Sequence, residues 1–211
     1  MAFAPNGLGG PIYGRLGNNV YYLLNGEAVV RKIGRRTSPR TPKEIKSSNR
    51  QSLLVKFFNP MKAFIRKGFG TAAEHTKHNY HNIAMSYNSL NAIAMDTDQP
   101  RILYDKVVLS QGALIEPTNP DAVINGDDIF ITWDYDESLQ WNFSEDRVMM
   151  LIHFPEKGTS VFKMTGAERA QGYDTLHLLP GMTTEKMHIY VAFCSSYSEE
   201  VSNSVYIGEI N

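Results

Sequence analysis

Val20-Tyr21-Tyr22-Leu23-Leu24-Asn25-Gly26-Glu27-Ala28-Val29-Val30-Arg31-Lys32-Ile33 consists of two β-type runs joined by Asn-Gly. Asn-Gly supplies the two positive-φ residues of a type I′ turn, whose twist matches that of paired strands, so the stretch predicts a β-hairpin. Before it lies a leader with glycine at 7, 9, 10, 14 and 17 and proline at 5 and 11, in which Ile12 to Gly17 is a short strand candidate. Glycine at this density permits tight turns and close backbone approach but loses much entropy on ordering, so the leader needs a surface to lie against. After the hairpin, Arg31-Lys32-Ile33-Gly34-Arg35-Arg36-Thr37-Ser38-Pro39-Arg40 forms a basic, turn-rich connector.

Beyond the connector the period changes to that of a helix. Thr41-Pro42-Lys43-Glu44 is a helix start, with Thr41 as N-cap, Pro42 at the first helical position and Glu44 closing a capping box. Leu53, Leu54, Phe57, Phe58, Met61, Phe64 and Ile65 recur at helical spacing, while Lys43, Lys46, Arg50, Lys56, Lys62, Arg66 and Lys67 occupy the opposite face. Pro60 is expected to interrupt this helix near Phe58-Asn59. Gly68-Phe69-Gly70 breaks the pattern, and Thr71 is expected to cap a second helix running to about Ala94. Two helices joined by a short turn pack antiparallel most readily, so a helical hairpin should follow the β-hairpin. Met95 to Pro100 ends it, and Ile102 to Tyr104 and Val107 to Ser110 read as strands.

From about Asn119 short β-runs alternate with turns: Ala122–Ile124, Ile129–Trp133, Arg147–Phe154, Ser160–Met164, Asp174–Leu179, Met187–Cys194 and Val201–Ile207. Seven short strands with regular turn signals form the pattern of a β-sandwich of immunoglobulin or fibronectin type III shape. Alternation places Ile129, Ile131 and Trp133 on one strand face, and Val148, Met150 and Ile152 on another. The fold expected is thus an α+β N-terminal module over 1–110, made of arm, β-hairpin and helical hairpin, followed by an all-β sandwich over 119–211.

Composition narrows the function classes. At 211 residues, 42% hydrophobic and 20% charged, the chain has the make-up of a folded protein rather than a disordered one. No apolar run approaches the roughly 18 residues of a membrane span, and the N-terminus lacks the basic start and apolar core of a signal peptide. A cytoplasmic protein, or part of an assembled particle, is expected. The single cysteine, Cys194, excludes an internal disulfide and a Cys-rich zinc site, and reads as a small buried hydrophobe. A net charge of -1 conceals a split: residues 1–80 carry 14 Lys and Arg against 3 Asp and Glu, whereas residues 81–211 carry 7 against 19.

Each candidate chemistry has a plain competitor. His75, His78 and His81, with Glu74, suggest a metal-binding helix face, but steps of three drift about 60° per step around a helix, and a polar face is the simpler reading. Asp127, Asp128, Asp134, Asp136 and Glu137, with Glu145 and Asp146, lack the Asp-x-Asp-x-Asp-Gly order of a calcium loop. The glycine leader follows no hydrophobic strand, opens no helix and has no Gly-Lys-Ser/Thr, so it does not read as a phosphate loop. No nucleophile elbow organises the scattered Ser, His and Asp residues. The expectation is therefore a non-enzyme without a cofactor.

Two resemblances add to this reading. Ile131-Thr132-Trp133, and Leu178-Leu179-Pro180-Gly181 followed by Tyr190-Val191-Ala192, are similar to fibronectin type III motifs, where the early Trp fills the core between sheets and the Tyr forms a corner; the Pro180–Tyr190 spacing is longer than that pattern. Gly7-Leu8-Gly9-Gly10-Pro11-Ile12-Tyr13-Gly14-Arg15-Leu16-Gly17-Asn18, Asn25-Gly26 with Val29-Val30-Arg31, and Asn49-Arg50-Gln51 ahead of Phe57 resemble an uncharacterised bacterial family common in Bacteroidota. That resemblance implies a full-length family member and no particular activity.

The leading expectation is a structural, assembly or protein-binding module whose arm and hairpin meet a protein partner or a second copy. Tyr21, Tyr22, Arg31, Lys32, Arg35, Arg36 and Arg40 are the candidate contact residues. Exposed strand edges and charge complementarity would drive the contact. The alternative is a nucleic-acid-associated protein binding phosphates through basic segment 31–67, with Tyr21, Tyr22 and Phe57 as stacking partners.

Overall fold

The computed structural model describes residues 2–5, 10–24, 26–74, 76–94, 99–138 and 141–211. It divides into two compact units, residues 1–42 and 43–211. No described helix is long and apolar enough to cross a membrane.

The first unit is one antiparallel sheet in the order β1-β2-β3-β4: β1 (Ala2–Phe3), β2 (Tyr13–Leu16), β3 (Asn19–Leu24) and β4 (Glu27–Lys32). Leu24 pairs with Glu27, which leaves a two-residue loop for the hairpin. Gly26 takes φ +85°, the left-handed conformation such a turn demands, while Asn25 lies outside the described residues. Strand β1 had no sequence signal, because a two-residue strand is too short to alternate.

The second unit opens with α1 (Pro42–Phe58), which starts at the proline and stops where Pro60 enters a 3₁₀ turn, Asn59–Met61. Then come α2 (Lys62–Gly68), α3 (Gly70–Ala73) and α4 (Tyr80–Asn91). The expected continuous helix from Thr71 to Ala94 is corrected to these last two pieces. Thr71 caps nothing; its hydroxyl donates to the Glu199 carbonyl at 3.1 Å. Thr76 bonds to the Ala73 and His78 carbonyls, and the Asn79 side chain accepts from the Asn82 N–H at 2.8 Å, capping α4 afresh. Short polar side chains compete in this way with helical backbone bonds.

Two more expected strands are corrected. Only β5 (Ile93–Ala94) and β6 (Arg101–Ile102) pair, and Tyr104–Lys106 is a 3₁₀ turn. Val107–Ser110 joins no ladder because side chains satisfy its backbone. Asn88 accepts from the Val108 N–H at 2.9 Å and donates to its carbonyl at 2.8 Å, and Ser204 accepts from the Leu109 N–H.

The remainder is antiparallel. β7 (Thr118–Asn125), β8 (Asp128–Asp134) and β11 (Tyr173–His177) form a sheet in the order β11-β8-β7. β9 (Arg147–Phe154), β10 (Thr159–Lys163), β12 (Met187–Cys194) and β13 (Val205–Ile210) form another in the order β10-β9-β12-β13, and a one-turn helix α5 (Trp141–Ser144) precedes β9. One face of the four-stranded sheet shares a hydrophobic cluster with the three-stranded sheet: Val148, Met150, Ile152, Ile189, Val191 and Phe193 meet Ile129, Ile131 and Trp133. The other face, with Met149, Leu151, Tyr190 and Ala192, shares a second cluster with Leu54, Phe57, Phe58, Met61, Phe64 and Ile65 of the helical segment. The helices therefore belong with the sheets. The expected division near residues 110–119 grouped them with the hairpin, whereas the compact units separate at Pro42.

Buried polar groups brace this arrangement. Arg169 donates to Asp146 at 2.9 Å and to the Ile115 carbonyl at 2.9 Å, and its guanidinium lies 3.8 Å from the Phe193 ring centroid. Trp133 donates its indole N–H to the Arg169 carbonyl at 2.8 Å. Burial pushes the Asp146 carboxyl up and the Arg169 guanidinium down, against their mutual attraction. In keeping with the long Pro180–Tyr190 spacing, Tyr190 does not form a tyrosine corner: its hydroxyl donates to the Tyr104 carbonyl at 2.8 Å, on the helix side of the sheet.

Two outcomes follow for stability. Arg169→Met strands a buried carboxylate and is expected to cost about 3–5 kcal/mol in urea unfolding, whereas Asp146→Leu combined with Arg169→Met costs less than the single change. A Cβ on Gly68 would collide with the Leu109 carbonyl oxygen, so Gly68→Ala is expected to lower stability by about 1–3 kcal/mol in the same assay.

Candidate interaction surface

The first unit buries none of its described residues. Register explains how its side chains divide. Tyr21 stands opposite Gly14 and Val30, so Tyr21, Val30 and the alternating Leu16, Leu23 and Lys32 share one face. Tyr22 stands opposite Val29, and with Phe3, Tyr13, Val20, Leu24 and Arg31 it belongs to the other face, where Phe3 stacks on Tyr13 at 5.6 Å between centroids. Each face thus carries apolar side chains open to water: Phe3 is 64% exposed, Leu16 57% and Val30 55%.

The candidate contact residues do not form a single patch. Tyr21 and Tyr22 are consecutive strand residues and point to opposite faces, and so do Arg31 and Lys32. Both tyrosines are half-buried, and all five cationic candidates are exposed. Arg35, Arg36 and Arg40 lie beyond the sheet in the connector, where Arg36 donates to the Ser38 carbonyl at 2.8 Å and the Pro39 carbonyl at 3.4 Å. Strand β4 is an edge of the sheet, with Glu27, Arg31 and Lys32 around Ala28-Val29-Val30. Charges on an edge discourage indiscriminate strand addition, so a partner there must answer charge as well as pair backbone. Phe3, Leu16 and Val30 were missed as contact residues. Val30 belongs to the hairpin's second apolar run, whereas Phe3 and Leu16 lie outside both runs and carried no comparable signal.

The other candidates are dispersed. Phe57, expected to stack on a ligand, is 4% exposed and packs on Phe58 and Tyr104. His75 lies outside the described residues, His78 precedes α4, and the ring of His81 stands edge-on to Phe58 at 6.5 Å. Among the described residues no three His, Cys, Asp or Glu side chains gather as a metal site. The acidic set is spent separately: Asp146 on Arg169, Asp128 on His177 at 2.7 Å, Asp134 on Asn119 at 2.7 Å, and Asp136 on Ser138, whose hydroxyl first and backbone N–H, at 2.8 Å, second lower its pKa. Cys194 is buried and its sulfur faces the Met164 carbonyl at 3.5 Å; burial pushes the thiol up and keeps it unreactive. An open groove along α1 and α4, lined by Ser47, Arg50, Gln51, His81, Ser86 and Leu90, has no converging buried polar group.

No curated protein is significantly similar to the chain. A solved structure, the fn3 domain of human collagen alpha-1(XX) chain, matches at 16% identity and a TM-score of 0.32, covering 44% of this chain and 79% of that one. A likeness at that score carries no argument about fold or function. The sequence model of a family of unknown function, DUF6266, matches residues 12–208. The match takes in the hairpin, the helices and the strands from β7 into β13, and the protein belongs to the DUF6266 family.

Proposed function

We propose that the protein is a non-enzymatic assembly module, and that its N-terminal sheet is a contact surface for the acidic portion of a second copy of the chain. The observation that carries this reading is the sheet without a core. Three or more strands hold together in water when at least one face is covered, and among the described residues of 1–42 none is buried on either face. Charge specifies the partner. Residues 1–42 contain six Lys and Arg against the single acid Glu27, a net +5, while residues 43–211 contain 15 against 21, a net -6. A second copy thus offers the complementary sign, and a contact of basic unit on acidic unit is heterologous, the type that closes into rings or extends into filaments.

We infer in addition that residues 118–210 form a fibronectin-type sandwich that acts as a spacer or second binding surface. Support comes from connectivity. The first, second and fifth strands make one sheet and the third, fourth, sixth and seventh make the other, with Trp133 between them. That strand partition is the one expected of a Greek-key sandwich.

Sedimentation velocity tests the assembly reading. The intact chain is expected to gain mass with concentration at about 50 mM salt and to lose that gain at about 500 mM, where screening shortens the reach of charge. The variant Arg31→Glu/Lys32→Glu/Arg35→Glu is expected to remain monomeric at both salts. A monomer at every concentration overturns the second copy as occupant. Binding of generic duplex DNA at low salt, with affinity falling steeply as salt rises, would transfer the basic segment 31–67 to phosphate contact.

A further inference from the structure

His153 and His188 stand directly opposite one another on β9 and β12, on the sheet face that packs against the helical segment. They are 3% and 1% exposed. His153 Nδ1 lies 2.9 Å from the Ser160 hydroxyl of β10, and its ring meets Phe57 of α1 edge-on at 4.8 Å between centroids. His188 is stacked under Tyr104, 3.7 Å between centroids and 17° from parallel, with Nδ1 2.9 Å from the Tyr206 hydroxyl of β13. Its Nε2 is buried without a hydrogen-bond partner, with Glu209 Oε2 at 3.8 Å, and Glu209 is itself held by Lys186 at 2.7 Å.

We propose that the His153–His188 pair is an acid-released latch that holds the Tyr104 turn and α1 on the β9–β12 face. The neutral rings suit this place. Stacking on Tyr104 and contact with Phe57 reward an uncharged imidazole, and each Nδ1 already has a hydroxyl. A charged ring requires two satisfied donors and a solvent or counter-charge to stabilise it. Around the pair, β10 offers Ser160 and the Thr159 backbone, which favours a charged His153 but is outweighed by desolvation; β13 offers Tyr206 and Glu209, β12 offers Tyr190, the turn offers Tyr104 with Asp105 and Lys106 beside it, Lys186 precedes β12, and α1 presents Phe57 without a charge. Glu209 is the nearest carboxylate, and Lys186 competes for it. Protonation of one histidine also opposes protonation of the other.

Desolvation accordingly brings both histidines down to about 4. The unfolded value is about 6.5, so an opened state binds more protons between the two. Their contribution is complete above pH 6.5 and drains away as pH falls towards 4. For one such site the opening equilibrium shifts by about 300-fold across that window. The opening is local in the first instance, because both rings lie on the helix-facing side of β9 and β12, while the neighbouring Ile152 and Ile189 point the other way into the cluster shared with the three-stranded sheet.

Hydrogen exchange of the whole chain, corrected for the intrinsic rate at each pH, tests the latch. Between pH 7 and 4.8, amides of α1 and of residues 101–108 are expected to lose protection at least tenfold more than those of β7, β8 and β11. In the variant His153→Asn/His188→Asn, each Asn keeps a polar atom near the Nδ1 position without titrating, and this difference is expected to vanish. Should that variant fail to fold, imidazole titration of the unaltered protein by NMR decides: both rings are expected to remain neutral at pH 5.5. Equal protection of helices and sheets at both pH values, an undiminished difference in the double Asn variant, or rings that charge near pH 6.5 would each overturn the proposal.

Discussion

Strands β9 and β12 bury both of their faces, and a strand in that position has to be covered twice. One cover is the three-stranded sheet and the other is the helical segment, each with its own hydrophobic cluster. Much of the second unit can be understood as a means of keeping these covers in place. Gly68 lets the end of α2 approach Leu109 and Ser110, and Gly112 does the same against Val201, since a Cβ at either would strike backbone. Asn88 and Ser204 then take the backbone groups of Val107–Ser110, which no strand pairs. Polar side chains thereby substitute for a ladder where the chain crosses from helices to sheets.

The two covers differ in chemistry. Between the sheets the contacts are almost wholly apolar, with Trp133 and the Asp146–Arg169 pair at one end. Under the helices, polar rings interrupt the cluster: Tyr104, Tyr190, Tyr206, His153 and His188 stack and hydrogen-bond among themselves. Polar groups in a low dielectric strengthen packing while they are satisfied and weaken it sharply when one gains a charge. The layer most exposed to a change of protonation is thus the helical one, and this asymmetry underlies the proposed latch.

The first unit presents the opposite situation. Its sheet has register, turns and an aromatic stack, yet none of its described residues is fully buried. Hydrophobic burial is the main force that offsets chain entropy, so a sheet of this kind gains most of its stability from what it meets. The proposed contact role rests on that deficit together with the charge imbalance between the two units.

The sequence by itself determined what depends on neighbours in the chain. Gly26 turned the hairpin between β3 and β4, Pro42 started α1, Pro60 ended it, and six of the seven β-runs after Asn119 became strands near their expected limits, because turn geometry, proline sterics and alternation are local; the seventh, expected at Val201–Ile207, formed at Val205–Ile210. Legibility failed where long-range partners compete with local preference. Apolar periodicity suggested one helix through residues 71–94, but Thr76 and Asn79 side chains broke it; Val107–Ser110 looked like a strand, but Asn88 and Ser204 occupied its bonding groups. Alternation placed Val148, Met150 and Ile152 on one covered face, but it did not show that the other face of β9 and β12 would be covered too, or by which element. Only the tertiary structure decided that the helices lie on the four-stranded sheet, that His188 meets His153 there, and that Tyr21 and Tyr22 part to opposite faces. Burial and register between distant segments are properties of the assembled chain.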